Sequence, residues 1–345
     1  MDPIATRAAT TGTVTLRIQH VGIQGLGLIG SSVARSLQPH VRITGFDPDP
    51  VTRETAIASG VTVVEESEDL SQCDLVLLAA PTDTNCELLA AEIAAGSGRI
   101  VADLGSVKGP IEEIWLKGDS DFPFVGTHPM SGSESSGFAA GSADLFVGAP
   151  WPVAVHERTE PTALMTTLEI IKILGGRPIP VSSARHDAEV ARVSHLAQVL
   201  AGALGRGAAG LADEHVTVNL AGGAYRDGSR VSAGPPDRTA EYLNANGPNA
   251  AEAVRVAAAE LLEVAEALEV GDATAVEQWL TPAHRLRGAF NTRWEPRDTV
   301  ELTGTGVEVQ RLLLDQRDRA VWVTELHQTG DDTWRFALDV AETSG

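Results

Sequence analysis

The sequence predicts an α/β fold in which a doubly wound, mainly parallel sheet is followed by an all-α region and a small α+β tail. In the first half, short apolar runs of strand length alternate with helix-forming stretches, as in βαβ units. Beyond about residue 183 long alanine-rich helical segments take over, and strand patterns return near the end. We therefore predict four segments in the 345-residue chain: a flexible arm (1–17), a sheet domain (18–182), a helical domain (183–294) and a tail (295–345).

Composition restricts the function classes. A hydrophobic content of 43% is ample for a buried core, and a formal net charge of −21 opposes binding to nucleic acid and to anionic membranes. No apolar run reaches the roughly 18 to 20 residues that a membrane helix requires. Two cysteines are too few for a disulfide framework, and no metal-ligand spacing is present. We expect a soluble cytoplasmic protein that acts on a small molecule without a metal.

The first strand leads into a glycine-rich turn. In "HVGIQGLGLIGSSVARSL" an apolar strand is followed by three glycines and then by helix-forming residues. The first glycine permits the tight turn, the second lets the backbone approach a pyrophosphate, and the third lets the helix pack on the strand. The free amides at the helix N-terminus favour phosphate. The predicted cofactor-binding residues of this Rossmann-type turn are Gly25, Gly27, Leu28, Ile29 and Gly30.

The second strand ends at a carboxylate. "RITGFDPDP" predicts a strand that finishes at Asp47, about 20 residues beyond the glycine turn. A carboxylate at this place accepts hydrogen bonds from a ribose 2′-hydroxyl and repels a 2′-phosphate, which favours NAD over NADP. The alternative for Asp47 is a turn residue before Pro48.

Further strands place polar residues at the same edge of the sheet. Strand patterns occur in "DLVLLAAP", "RIVADLGS", "FPFVGTHP", "APWPVAVH" and "RPIPVS", with a helix over 161–174. Pro81, Ser106 and His128 each fall at or just past the carboxyl end of a predicted strand, as do the glycine turn and Asp47. Ligands bind at that edge in open α/β sheets, so His128 is a candidate for handling a proton rather than a turn residue.

The helical region begins with "ARHDAEVARVSHLAQVLAGALGRGAAGL" (184–211). Arg192, His195 and Gln198 are spaced three apart, so we expect them to share one helix face, with His186 on roughly the opposite side. Taken alone, a histidine on a mostly apolar face is more often a packed core or interface residue than a ligand contact.

A glycine-rich break follows. "AGGAYRDGSRVS" interrupts the helical pattern and carries Arg226 and Arg230 in an otherwise acidic protein. Alone, such arginines are more often solvated or paired with a neighbour such as Asp227. Helical stretches resume over 249–267 and 273–293, and we expect substrate to bind in a cleft between the sheet and this helical body.

Several segments together resemble one family. "GLGLIGSS", "DLGSVKG", "GTHPMSGSESSG", "LFVGAPW", "RHDAEVARVSHLAQ" and "GGAYRDGSR", in this order, resemble the prephenate dehydrogenase family of tyrosine biosynthesis. The resemblance covers roughly residues 20 to 290. It implies NAD(P)-linked oxidative decarboxylation of prephenate or L-arogenate, an N-terminal Rossmann-type domain, and a helical C-terminal domain that mediates homodimerisation.

The resemblance also implies roles for individual residues. His128 corresponds to the catalytic histidine, and Ser106 to the serine that contacts both the substrate C4 hydroxyl and that histidine. Arg230 corresponds to the arginine that binds a substrate carboxylate. Glu134 corresponds to a glutamate of active-site closure and polar networks, and His195 matches the histidine of the V-S-H-L segment at the substrate site.

Gln198 departs from the family pattern. Many relatives have histidine at the position of Gln198, where glutamine is neutral and both donates and accepts hydrogen bonds. A keto acid such as prephenate needs no carboxylate partner there, whereas the ammonium of arogenate would favour one, so we expect prephenate to be preferred. Arogenate remains the alternative, and tyrosine feedback at this position is in doubt.

The tail reads as βαββ over 298–341, either a truncated ACT-like element or an unrelated hairpin. Two other functions also stay open. A β-hydroxyacid dehydrogenase or imine reductase would be expected to use a lysine in its helical domain, but the chain has no lysine after Lys172. A non-catalytic NAD-sensing protein would not need Ser106, His128 and Arg230 together.

Overall fold

The computed structural model describes residues 18–118, 121–133, 135–209, 214–295 and 298–340. The predicted arm and the predicted site residue Glu134 lie outside these ranges. Within them, no helix is both long and apolar enough to cross a membrane.

Eight strands form one sheet in the first half of the chain. They are β1 (His20–Gln24), β2 (Arg42–Phe46), β3 (Thr62–Val63), β4 (Leu75–Leu78), β5 (Ile100–Asp103), β6 (Phe124–Thr127), β7 (Pro150–Ala154) and β8 (Arg177–Val181). The strand order is β3-β2-β1-β4-β5-β6-β7-β8, and every pair is parallel except β6 with β7. This arrangement confirms the predicted doubly wound, mainly parallel sheet.

Five helices connect these strands: α1 (Leu28–Leu37), α2 (Pro50–Ala58), α3 (Thr82–Ala95), α4 (Gly109–Lys117) and α5 (Pro161–Ile173). Strands β1, β4 and β6 are buried along their whole length, as expected for central strands covered by helices on both faces. The direction of winding reverses between β1 and β4, which opens a crevice at the carboxyl ends of these strands.

The helical region contains α6 (Ser183–Val190), α7 (Leu196–Ala209), α8 (Glu214–Leu220), α9 (Gly223–Ser229), α10 (Pro236–Ala245), α11 (Gly247–Glu269) and α12 (Ala273–Thr292). A π-helical turn over Ala191–His195 joins α6 to α7. The prediction that Arg192 shares a face with His195 is wrong, because the wider turn breaks the three-residue spacing. The Arg192 side chain is 69% exposed, whereas His195 is 1% exposed.

The tail has the predicted βαββ order. It consists of β9 (Asp298–Gly304), α13 (Gly306–Gln316), β10 (Val321–Gly330) and β11 (Thr333–Val340), with the strands in an antiparallel sheet ordered β10-β11-β9. Helix α13 packs on α5, and β10 packs beside β8. The ring centres of Trp322 and Trp294 are 5.3 Å apart, and the Arg177 guanidinium lies 4.7 Å from the Trp294 ring centre. The tail therefore shares one hydrophobic core with the large sheet.

Candidate active site

A cleft of about 580 Å³ lies between the carboxyl edge of the sheet and the helical region. Its volume is in the range of small-molecule and cofactor sites. Of the predicted site residues it brings together Gly27, Leu28, Ile29, Pro81, Ser106, His128, His195, Gln198 and Arg230. Gly25, Gly30 and Asp47 are outside its lining and support the turn beside it.

The glycine turn has the shape that a dinucleotide needs. Gly25 has a φ of +95°, which favours glycine, and a Cβ at Gly30 would lie 1.9 Å from the Gly25 carbonyl oxygen. A Cβ at Gly27 would meet no described atom within 4 Å, so this glycine faces open space. No described side chain caps α1, whose first amides remain available. These features fit a pyrophosphate at the helix N-terminus.

Asp47 lies at the end of β2 and is half-buried. Its Oδ2 accepts the amide of Leu26 at 2.8 Å, and its Oδ1 accepts the amide of Asp49 at 2.9 Å. These bonds fix the carboxylate beside the glycine turn. Each carboxylate oxygen has a further lone pair, so Asp47 can still accept a ribose hydroxyl.

A buried ion pair supports the loop that carries Ser106. The Lys108 ammonium and the Asp103 carboxylate are in contact, each with a side chain only 1% exposed, and Lys108 also donates to the Thr127 carbonyl at 2.6 Å. The second Asp103 oxygen accepts from Asn85 at 2.7 Å. Ser106 itself is half-buried at the cleft, and within the described ranges its hydroxyl has no protein partner.

His128 follows β6 directly and is bonded to a second histidine. Its Nδ1 lies 3.0 Å from Nε2 of His186, and His186 Nδ1 lies 2.7 Å from Oδ1 of Asp187. The Asp187 carboxylate also accepts the backbone amides of Lys108 at 2.8 Å and Gly109 at 2.7 Å. The described contacts thus give His128 a partner in His186 and no bond to Ser106.

This chain of bonds fixes where the protons reside. An ionised Asp187 can only accept, so His186 carries its proton on Nδ1 and leaves Nε2 as an acceptor. His128 must then donate from Nδ1, which leaves its own Nε2 with a free lone pair. His128 lines the cleft, so this lone pair is the one available to a substrate hydroxyl.

The pKa values agree with this assignment. Burial holds the pKa of His128 well below its ordinary value, and His186 and Lys108 lower it further. Burial also lowers the pKa of His186, although its bond to Asp187 opposes the shift. Burial acts to raise the pKa of Asp187, but hydrogen bonds from His186 and from the two amides outweigh it and keep that pKa low. Both imidazoles are neutral near pH 7 while the carboxylate is charged.

His195 lies deeper in the wall of the cleft. Its Nδ1 is 3.3 Å from the Asn246 amide nitrogen, and its ring packs against Tyr242 with centroids 5.3 Å apart. Asn246 also donates to the Asp187 backbone carbonyl at 2.8 Å. Burial lowers the pKa of His195 to about 4. His195 is therefore a neutral, buried group in the wall of the cleft.

Helix α10, which the sequence did not reveal, closes one side of the cleft. Its Glu241 Oε1 accepts the amide of Thr82 at 2.7 Å, at the start of α3 beside Pro81. Its Arg238 reaches the Ser133 carbonyl at 3.4 Å, in the loop after His128. Pro236, the first residue of this helix, was an available signal, because proline is favoured at the first helical position.

The fold and the cleft define a class of protein. A doubly wound sheet with a glycine turn for pyrophosphate, and a neutral, oriented histidine facing it across a cleft, is the arrangement of a dinucleotide-dependent dehydrogenase. Within the described ranges, no three metal-binding side chains cluster.

The chain belongs to the prephenate dehydrogenase family. "Prephenate dehydrogenase, nucleotide-binding domain" matches residues 32–179, and "Prephenate dehydrogenase, dimerization domain" matches residues 182–282. The chain is 30% identical over 278 residues to prephenate dehydrogenase of Lactococcus lactis, covering 78% of this chain and 76% of the relative. It is 31% identical over 240 residues to cyclohexadienyl dehydrogenase of Zymomonas mobilis, covering 67% and 82%.

Solved structures of the same kind are similar in fold. Prephenate dehydrogenase from Aquifex aeolicus, in complex with hydroxyphenyl propionate and NAD+, has a TM-score of 0.72 at 25% identity, covering 80% of this chain and 99% of that one. Arogenate dehydrogenase from Synechocystis has a TM-score of 0.65 at 25% identity, covering 79% and 100%.

Proposed function

We propose that the chain catalyses the NAD-dependent oxidative decarboxylation of prephenate to 4-hydroxyphenylpyruvate. Family membership supports the reaction, and the observation that carries the mechanism is the Asp187–His186–His128 chain of hydrogen bonds. NAD, when bound, accepts the hydride that leaves C4 of the substrate ring.

His128 takes the central role in this mechanism. Its bare Nε2 accepts the hydrogen bond or proton of the C4 hydroxyl as that carbon becomes carbonyl-like. General-base assistance of this kind contributes about 10²–10⁴-fold. Ser106 faces the same cleft and supplies a second polar contact to the hydroxyl. Loss of carbon dioxide makes the ring aromatic, so the protein mainly has to orient and polarise the substrate.

The other predicted residues complete the binding site. Arg230 grips a substrate carboxylate, and His195 and Gln198 contact the substrate from the wall of the cleft. Gly27, Leu28 and Ile29 hold the pyrophosphate, with Gly25 and Gly30 shaping the turn and Pro81 flanking it. Asp47 holds the ribose hydroxyls.

We also infer a homodimer built on the helical domain, with boundaries near residues 183 and 294. The described helices α11 and α12 carry exposed apolar side chains, which a subunit interface would bury: Leu261, Leu262, Leu268, Leu286 and Phe290. The matched dimerization domain covers the same region.

Arogenate is the second candidate substrate, because a carboxylate, that of Glu241, is among the described groups that line the cleft. Glu241 would suit the ammonium of arogenate, although its Oε1 already accepts the Thr82 amide. Gln198 and the engaged Glu241 together favour prephenate.

A direct assay tests this function. NADH formation is measured with prephenate and with L-arogenate at equal concentrations, for the wild type and for His128→Asn. We expect faster turnover of prephenate and a loss of about 10²-fold or more in the variant. Preference for arogenate would reverse the substrate assignment, and no NADH from either substrate would refute the function.

A further inference from the structure

The charged groups on the wall of the cleft are few. In the part of the chain that the structure describes, the ionised side chains lining it are Arg230, Arg238 and Glu241. His128 and His195 are neutral for the reasons given above. These described side chains sum to one net positive charge, in a protein whose formal charge is −21. Such a reversal of sign points to an anionic ligand.

Among the described residues, the Arg238 guanidinium lines the cleft without an ion-pair partner. Its Nη2 is 3.4 Å from the Ser133 carbonyl, a weak contact, and would lie 3.3 Å from a Cβ at Gly234. No ion pair of Arg238 is found among the described residues, although Asp237 precedes it in the chain. Most of its five N–H donors therefore remain available to a ligand.

The proposed substrate has two negative charges close together. Both carboxylates of prephenate hang from C1, one directly on the ring and one at the end of the pyruvyl side chain, across the ring from the C4 hydroxyl. A molecule oriented with its hydroxyl at His128 presents both charges at the other end. One arginine forms a fork that matches one carboxylate, so a second carboxylate calls for a second cation.

We propose that Arg238 and Arg230 form a two-guanidinium site that binds one carboxylate each, and that Arg238 makes the cleft selective for a dianionic substrate. Arg230 directly follows α9, and Arg238 lies in the first turns of α10, so the short 231–235 connection holds them on one wall. This assignment rests on the proposed function, because it takes prephenate as the ligand.

Selectivity follows from net charge. Arogenate has the same two carboxylates, but its ammonium leaves it with one net negative charge at neutral pH. The ammonium would lie close to the guanidinium that grips the adjacent carboxylate, and like charges repel. Arg238 therefore strengthens prephenate binding more than arogenate binding.

The test compares Arg238→Gln with a matched control, Arg335→Gln. Arg335 lies in β11, is 56% exposed and pairs with Glu325 at 3.6 Å, far from the cleft. We expect Arg238→Gln to raise the KM for prephenate by roughly 10- to 100-fold, which is the scale of a lost charge-assisted hydrogen bond. The kcat of the variant should stay within about threefold of the wild-type value. Arg238→Lys should recover part of the loss, because it keeps the charge without the fork.

Further readouts separate the possible failures. The ratio of kcat/KM for prephenate to that for arogenate should fall in Arg238→Gln, while the KM for NAD and the melting temperature stay at wild-type values. An unchanged KM for prephenate would overturn the proposal, and equal losses with both substrates would overturn the selectivity of Arg238. A wild type inactive with both substrates would instead refute the proposed function.

Discussion

The hydrogen bond from His128 to His186 can be tested by removing its acceptor. His186 is buried, and its Nε2 accepts a hydrogen bond from Nδ1–H of His128, with the two nitrogens 3.0 Å apart. Leucine has a similar size and no acceptor, so His186→Leu leaves a buried N–H donor without a partner. His128 would then favour a proton on Nε2, which removes the lone pair that the substrate hydroxyl needs. The fold should survive because the substitution conserves volume.

The size of the effect follows from the cost of an unsatisfied buried donor. That cost is about 1–3 kcal/mol, and each 1.36 kcal/mol changes a rate tenfold, so kcat should fall by about 5- to 150-fold. His186→Gln should recover most of the rate. Its amide oxygen can accept from His128 while its amide nitrogen donates to Asp187, at a reach close to that of histidine.

The assay is steady-state NADH formation with saturating prephenate, accompanied by ¹⁵N NMR of the His128 imidazole to report its tautomer. His20→Leu is the control, because His20 is also buried and hydrogen-bonded, to Thr44 at 2.8 Å, but lies at the opposite end of β1 from the cleft. It should lower stability and leave kcat unchanged. A wild-type kcat in His186→Leu, or a Gln variant as slow as the Leu variant, would contradict the relay.

Three further predictions concern the base and the cofactor turn. Because the pKa of His128 is lowered well below the ordinary histidine value of 6.5 and its neutral form is active, kcat/KM for prephenate should stay flat through pH 6.5 and decline only at lower pH. An acid limb at pH 6.5 or higher would contradict this prediction. Gly27→Ala should raise the KM for NAD about tenfold and leave the midpoint of denaturant unfolding unchanged, because its Cβ would point into open space. The Cβ of Gly30→Ala would lie 1.9 Å from a carbonyl oxygen, so this variant should lower the free energy of unfolding by about 1–3 kcal/mol in a denaturant titration. Asp47→Asn should reduce the kcat/KM preference for NAD over NADP by about tenfold, and no change in that ratio would remove Asp47 from the ribose site.

The sheet was predictable because its strands carry strong local signals. Parallel strands covered on both faces are continuous apolar runs, as in Leu75–Leu78. Strand β3 was missed because its two residues leave no periodic pattern. Residues at the carboxyl edge converge whatever the details of the loops, so Pro81, Ser106 and His128 could be grouped from the sequence.

The helical side of the site depends on contacts between helices, which the residue spacing within one helix does not predict. The sequence placed His186 opposite His195 and gave it no role. In the structure α6 packs on α4, which brings Asp187 to the amides at the start of α4 and turns His186 towards His128. An adjacent His-Asp pair near a helix start was a weak signal for this. The π-helical turn then shifted His195 relative to Arg192, and no local propensity indicated it.

The site has to meet two electrostatic demands. A dianionic substrate needs positive charge, whereas a histidine base must stay neutral, and a cation beside it helps only by lowering its pKa. Lys108 meets the second demand. Its charge is held beneath the cleft by Asp103, so it adds to the effect of burial on His128 without offering a surface to the substrate. The guanidiniums that we propose for the first demand, Arg230 and Arg238, lie on the helical wall, in a segment separate from the sheet. The cation that lowers the pKa of His128 and the cations proposed for the substrate carboxylates therefore belong to different parts of the fold.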